Sequence, residues 1–109
     1  MQVEWAESAY KSLKDVIEYT EEEFGNRQVE VIAKKIADTV RTISAIPNAF
    51  PKESLLSRMK GNYHSAVVIR ELKIVYRIIS IDHILIVFIW NTRMSARKVI
   101  EKLKKENNA

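Results

Sequence analysis

Arginines and lysines are the side chains of this chain best suited to chemistry. Arg70, Lys73 and Arg77 stand close together, Arg93 comes later, and Arg97 and Lys98 follow it directly. Clustered guanidinium and ammonium groups bind phosphates and offset the extra charge of a phosphoryl-transfer transition state. RNA carries its own nucleophile, the 2′-hydroxyl. A protein that holds the strand in line and neutralises charge can therefore cut it without a metal. His64, Tyr63 or Tyr76 can add proton transfer. Arg77, His64, Arg97 and Lys98 are candidate substrate-binding groups. Arg93 is the best single candidate, because it sits just after a buried strand, where loops carry function.

The same residues have plainer readings. Arg77 can be an ordinary exposed strand residue. Tyr76 lies on the apolar side of its strand, where a core role outweighs a catalytic one. Trp90 closes an apolar run and reads as core rather than as a platform for stacked bases. His83 falls at a hairpin turn and reads as exposed. Glu21, Glu22 and Glu23 read as a solvated helix end, not as a paired-carboxylate site.

Composition closes off other chemistries. The 109 residues include no cysteine and two histidines. No disulfide, thiolate nucleophile or thiolate metal site can form, and there is no zinc-binding pattern. No phosphate-binding glycine loop, HExxH or GxSxG occurs. No metal and no cofactor are expected. The first five residues lack the basic start and apolar run of a signal peptide, and the apolar stretch Ile84 to Trp90 is too short to span a bilayer. A soluble, cytoplasmic protein is expected. The net charge is +4, unevenly spread. Residues 1–53 hold 10 Asp/Glu against 7 Lys/Arg, and residues 54–109 hold 4 against 11. The basic second half suits a polyanion or an acidic partner, or simply a solvated face.

Periodicity supplies the elements that must position these groups. Val3 and Trp5 alternate with polar residues and form a short strand. A helix is expected from Ala6 to Phe24, with Ala6, Ala9, Tyr10, Leu13, Val16, Ile17 and Phe24 on its apolar stripe. Gly25 caps it in a left-handed conformation, and Asn26 caps a second helix over 27–46 that Pro47 ends. The two pack as an antiparallel hairpin. Residues 47–62 form a loop anchored by Leu55, Leu56 and Met59. Three strands follow: 65–70, 72–80, and 83–90, the last apolar enough to be central. In 72–80, Leu72, Ile74, Tyr76 and Ile78 share one face, with Lys73, Val75 and Arg77 on the other. Ser95 caps a final helix running to about Lys105, and the tail after Glu106 is expected to fray. The expected architecture is α+β in the order β-α-α-β-β-β-α. It forms a single domain over 1–109, with the hairpin on one face of a four-stranded, mainly antiparallel sheet and the Lys73/Val75/Arg77 face partly open.

This pattern resembles the RelE/ParE toxin superfamily, the toxins and plasmid stabilisation proteins of bacterial type II toxin–antitoxin modules. The resemblance rests on Val3-Glu4-Trp5-Ala6-Glu7 with Ala9, Leu13 and Ile17; on Gly61-Asn62-Tyr63; on Leu72 to Arg77; and on Asp82, Ile84 to Ile89 and Asn91-Thr92-Arg93. It implies a cytoplasmic toxin neutralised by an antitoxin that wraps it. RelE-like members cut messenger RNA on the ribosome. By that resemblance Arg93, Lys73 and Arg70 are the catalytic groups here, with Lys73 in place of an arginine and without its bidentate fork. The catalytic tyrosine that RelE-like members often carry in the final helix has no counterpart after Tyr76. ParE-like members poison DNA gyrase without the nuclease set. The long helical hairpin and Thr92-Arg93 are similar to that branch, although Ala96 stands where its proline would be. Ribosome-dependent messenger cleavage is the first reading, with gyrase poisoning and a non-toxic basic binding module as the alternatives.

Overall fold

In the computed structural model, which describes residues 1–107, the expected order of elements is present. It runs β1 (Gln2–Trp5), α1 (Glu7–Phe24), α2 (Asn26–Ala45), β2 (His64–Ile69), β3 (Leu72–Ser80), β4 (His83–Asn91) and α3 (Ala96–Asn107). The strands form one sheet in the order β1-β4-β3-β2. The β2–β3 and β3–β4 pairs are antiparallel. β1 lies parallel to β4, with Val3 opposite Ile84 and Trp5 opposite Ile86. Element bounds differ from the sequence reading by one or two residues. Residues 108 and 109, the remainder of the tail expected to fray, lie outside the described residues.

The helical hairpin covers one sheet face. Ile32, Ile36 and Ile43 of α2 and Val16 of α1 pack with Leu72, Ile74, Tyr76, Ile84, Ile86 and Ile89. The stripe expected on α1 holds at Ala9 and Val16 and fails at Tyr10 and Phe24. Tyr10 and Phe24 are 59% and 64% exposed, while Ser8, Ser12 and Thr20 are buried instead. The reason is the shortness of β1. It pairs with β4 only as far as Ile86, leaving the backbone of Val87 and Ile89 without a strand partner on that side. Buried backbone polar groups require partners, and the serines supply them. Ser8 Oγ donates to the Val87 carbonyl at 2.6 Å, and the Ile89 amide donates to Ser12 Oγ at 2.9 Å. Hydrophobic periodicity cannot register this exchange. Gly25 does take a positive φ of 88°, and its amide donates to the Glu21 carbonyl at 2.9 Å. Asn26, expected as a cap, is instead the first residue of α2, and no side chain caps that helix.

The second sheet face is more covered than expected. Val99 and Leu103 of α3, with Leu56 and Tyr63 from the loop, bury Val75, Val87, Phe88 and Trp90. Leu55 is exposed, so the loop is anchored by Leu56 and, partly, by Met59. Ser95 caps α3 as its sequence suggests, with the Lys98 amide 3.3 Å from Ser95 Oγ. Glu106, near the other end of α3, accepts from the Ser8 amide at 2.9 Å and ties α3 to the first turn of α1. That amide is one of the donors that a helix start leaves unpaired. No helix among the described residues is long and apolar enough to cross a membrane.

Candidate functional site

The basic residues fall into three separate settings. The first is the end of the sheet where the β2–β3 turn meets the segment leaving β4. Arg70 and Glu71 form that turn, and the Thr92 amide donates to the Glu71 carbonyl at 2.9 Å. Arg93 stands here, 60% exposed. Its Nη2 lies 3.4 Å from Glu71 Oε2. Its Nη1 donates to the Tyr19 hydroxyl, and Cζ sits 5.6 Å from the centroid of the Tyr19 ring. Arg70 is exposed in that turn. Arg97 and Lys98 are exposed on the first turn of α3, with Arg97 Nε 3.4 Å from Glu101 Oε1. Arg70, Arg93, Arg97 and Lys98 thus all belong to the β2–β3 turn and the β4–α3 junction.

Lys73 occupies the second setting, inside the protein. Its side chain is 16% exposed, and its ammonium pairs with the carboxylate of Glu53, itself only 4% exposed. The same ammonium lies 4.3 Å from the centroid of the Trp90 ring. Glu53 Oε2 accepts from the Leu55 amide at 3.1 Å, which starts the short turn Ser54–Leu56. Burial by itself raises the pKa of Glu53. The Lys73 ammonium, the Leu55 amide and the Ser65 hydroxyl outweigh that and hold it below its usual value. The expectation of an open face around Lys73 is therefore corrected: Lys73 pins the loop to the sheet. Sequence reading passed over Glu53, since a single carboxylate in a loop carries no signal of burial.

The third setting holds Arg77 and His64, which point to opposite sides of the sheet. Arg77 Nε donates to the Gly61 carbonyl at 2.9 Å, and Cζ lies 5.8 Å from the Tyr63 ring. Gly61, at φ 131°, allows this approach, since a Cβ there would come within 2.8 Å of Arg77 Nε. The cleft beside Arg77 is also lined by Glu4, Glu7 and Glu106, a poor setting for a phosphate. His64, on the hairpin side, stacks on Tyr76 at 5.4 Å and donates from Nδ1 to the Phe50 carbonyl at 3.0 Å.

The tyrosines considered for proton transfer are committed elsewhere. Tyr76 is fully buried, its hydroxyl donates to the Pro47 carbonyl at 2.6 Å, and burial pushes its pKa up to about 12. Tyr63 is buried in the second core. Trp90 is core, as its sequence position suggests, and its Nε1 donates to the Met94 carbonyl at 2.8 Å. His83 differs from its sequence reading: it is partly buried, and Nε2 donates to Glu4 Oε1 at 2.9 Å across β1 and β4. Among the described residues no group of three or more His, Cys, Asp or Glu is placed to hold a metal ion. Tyr19, in contact with Arg93, was not among the candidates from sequence; it stands on α1, seventy-four positions away.

Comparison with known proteins fits this architecture. The family model for the ParE toxin of the type II toxin–antitoxin system parDE matches residues 3–105. The fold is similar to that of a protein from the chromosomal ParDE system of P. aeruginosa, with a TM-score of 0.68 and 16% identity over 84% of this chain and 95% of that one. It is also similar to a YoeB/ParE toxin from Agrobacterium tumefaciens, at 0.54 and 21% over 84% and 98%. YoeB from Staphylococcus aureus follows at 0.56 and 20% over 83% and 94%. No curated protein matches the chain in sequence. The match over nearly the whole length carries a cognate antitoxin as partner, and the chain belongs to the ParE toxin family of type II toxin–antitoxin systems, within the RelE/ParE superfamily.

Proposed function

We propose that this toxin stops growth by gripping a protein target, DNA gyrase, rather than by cutting messenger RNA, and that Arg93 is its principal contact. The observation that carries this reading is the buried pair of Lys73 and Glu53. A catalytic cation must reach the scissile phosphate, and an ammonium neutralised between a loop carboxylate and an indole ring does not. Proton transfer is equally unsupported: Tyr76 holds its proton beyond neutral pH, and His64 faces the hairpin rather than the exposed arginines. Arg93 is accessible and is held by two side chains from other elements, Tyr19 and Glu71. Membership of the ParE family supports the same choice, since the ParE-like branch works without the nuclease set.

The exposed group of Arg70, Arg93, Arg97 and Lys98 favours the second reading, a ribosome-dependent nuclease that relies on charge alone. The test is a supercoiling reaction with purified gyrase and the antitoxin-free protein, run beside a cell-free translation reaction. Loss of supercoiling with intact messenger supports the proposal. New 5′ ends on translated messenger with normal supercoiling overturn it in favour of the nuclease. No effect in either reaction, from a protein that also leaves growth unchanged, overturns it in favour of a non-toxic binding module.

A further inference from the structure

We propose that Tyr19 is a positioning residue. It fixes the Arg93 guanidinium at the rim of the cleft between α1 and the end of β4, as the cation that takes a carboxylate of the target protein. This rests on the reading of Arg93 as a target contact. The Tyr19 hydroxyl accepts from Nη1, its ring lies under Cζ, and Glu71 takes Nη2 from the other side. A solvent-exposed arginine ordinarily samples many rotamers, and ordering it on binding costs entropy. Here α1 and the β2–β3 turn hold it beforehand, while its remaining N–H donors have no acceptor among the described residues.

The surroundings select the occupant. Clefts of about 320 Å³ and 210 Å³ flank the Tyr19–Arg93 bridge. Val16, Phe88, Ile89 and Met94 line the first, and Val16, Phe24, Ile32 and Leu72 line the second. Asp15 and Glu71 also border them, one on each side. Those carboxylates oppose a run of closely spaced phosphates more than they oppose a single carboxylate set on the guanidinium. A protein segment that presents one aspartate or glutamate between apolar residues satisfies the guanidinium and both walls.

The experiment compares Tyr19→Phe, Tyr19→Ala, Arg93→Ala and the double alanine variant in growth inhibition under graded induction, and in gyrase supercoiling. Tyr19→Phe keeps the ring and loses the acceptor, and the half-inhibitory dose should rise about five-fold. Tyr19→Ala loses both, and the rise should be about twenty-fold. The double variant should be no weaker than Arg93→Ala alone, because a positioning residue acts only through the group it positions. Unfolding midpoints should stay at the wild-type value, and Tyr10→Ala, elsewhere on α1, should keep full potency. Full potency in Tyr19→Ala, or losses that add in the double variant, overturns the proposal, as does full toxicity in Arg93→Ala. Should Tyr19→Ala unfold, Tyr19→Phe decides. Non-additivity in growth with no effect on gyrase leaves Tyr19 in its role and removes gyrase as the target.

Discussion

Replacing Lys73 by methionine keeps the bulk of the side chain and strands the Glu53 carboxylate. Breaking a buried pair from one side costs about 3–5 kcal/mol, because the remaining charge has lost its partner away from water. The upper part of that range applies, since Glu53 is the more buried member and the contact of Lys73 with Trp90 is lost as well. Glu53→Gln should cost less, roughly 1–3 kcal/mol. The glutamine can still accept from the Leu55 amide, and the stranded ammonium keeps the Trp90 ring and some access to water. The double variant Lys73→Met/Glu53→Gln carries no stranded charge, and it should lie about 1–2 kcal/mol below wild type, well short of the sum of the single losses. Urea unfolding of the antitoxin-free proteins measures all three. Growth inhibition by the double variant then separates packing from chemistry. A folded, toxic double variant places Lys73 in the scaffold. A Lys73→Met protein as stable as wild type but without toxicity would rule out the scaffold role and return Lys73 to the reacting site.

Three other outcomes follow from the same geometry. Glu53 has a folded pKa below its usual 4.5, so its charge contributes stability that is present above about pH 4.5 and is lost as pH falls through the lower folded value; acid titration of unfolding should show this loss in wild type and not in Glu53→Gln. Tyr76 has a folded pKa raised from 10.0 to about 12, so its contribution is complete below pH 10 and lost on rising toward 12. Tyr76→Phe should remove that alkaline loss, cost about 1 kcal/mol through the missing bond to Pro47, and leave toxicity unchanged. Ser12→Ala leaves the buried Ile89 amide without an acceptor and should destabilise by about 1–3 kcal/mol, with faster hydrogen exchange at Ile89 as its local signature.

Much of the architecture could be read from the chain because apolar spacing is strong where it matters. The β4 residues from Ile84 to Trp90 are apolar because strands flank them and both faces are covered, and alternation along β3 placed Leu72, Ile74 and Tyr76 under the hairpin. What failed to show has a common cause. Ser8, Ser12 and Glu53 are buried polar groups whose partners lie far along the chain, at Val87, Ile89 and Lys73. Local pattern assigns such residues to the surface. The candidate site was legible only in part: Arg93 led the candidates, and the fold leaves it exposed where α1 meets the sheet end. Its partner Tyr19 read as one more residue of an amphipathic helix. Lys73 looked available only because nothing in the sequence announces that α3 and the 47–62 loop close over its face.

How growth stops separates gyrase poisoning from messenger cleavage. The most direct measurement is made in cells, by inducing the toxin without its antitoxin and mapping both chromosomal double-strand breaks and messenger 5′ ends from the same culture. Breaks at gyrase sites with unchanged messenger ends, the breaks absent in Arg93→Ala, are the expected result of gyrase poisoning through Arg93. Codon-positioned cuts in translated messenger with an intact chromosome would contradict it.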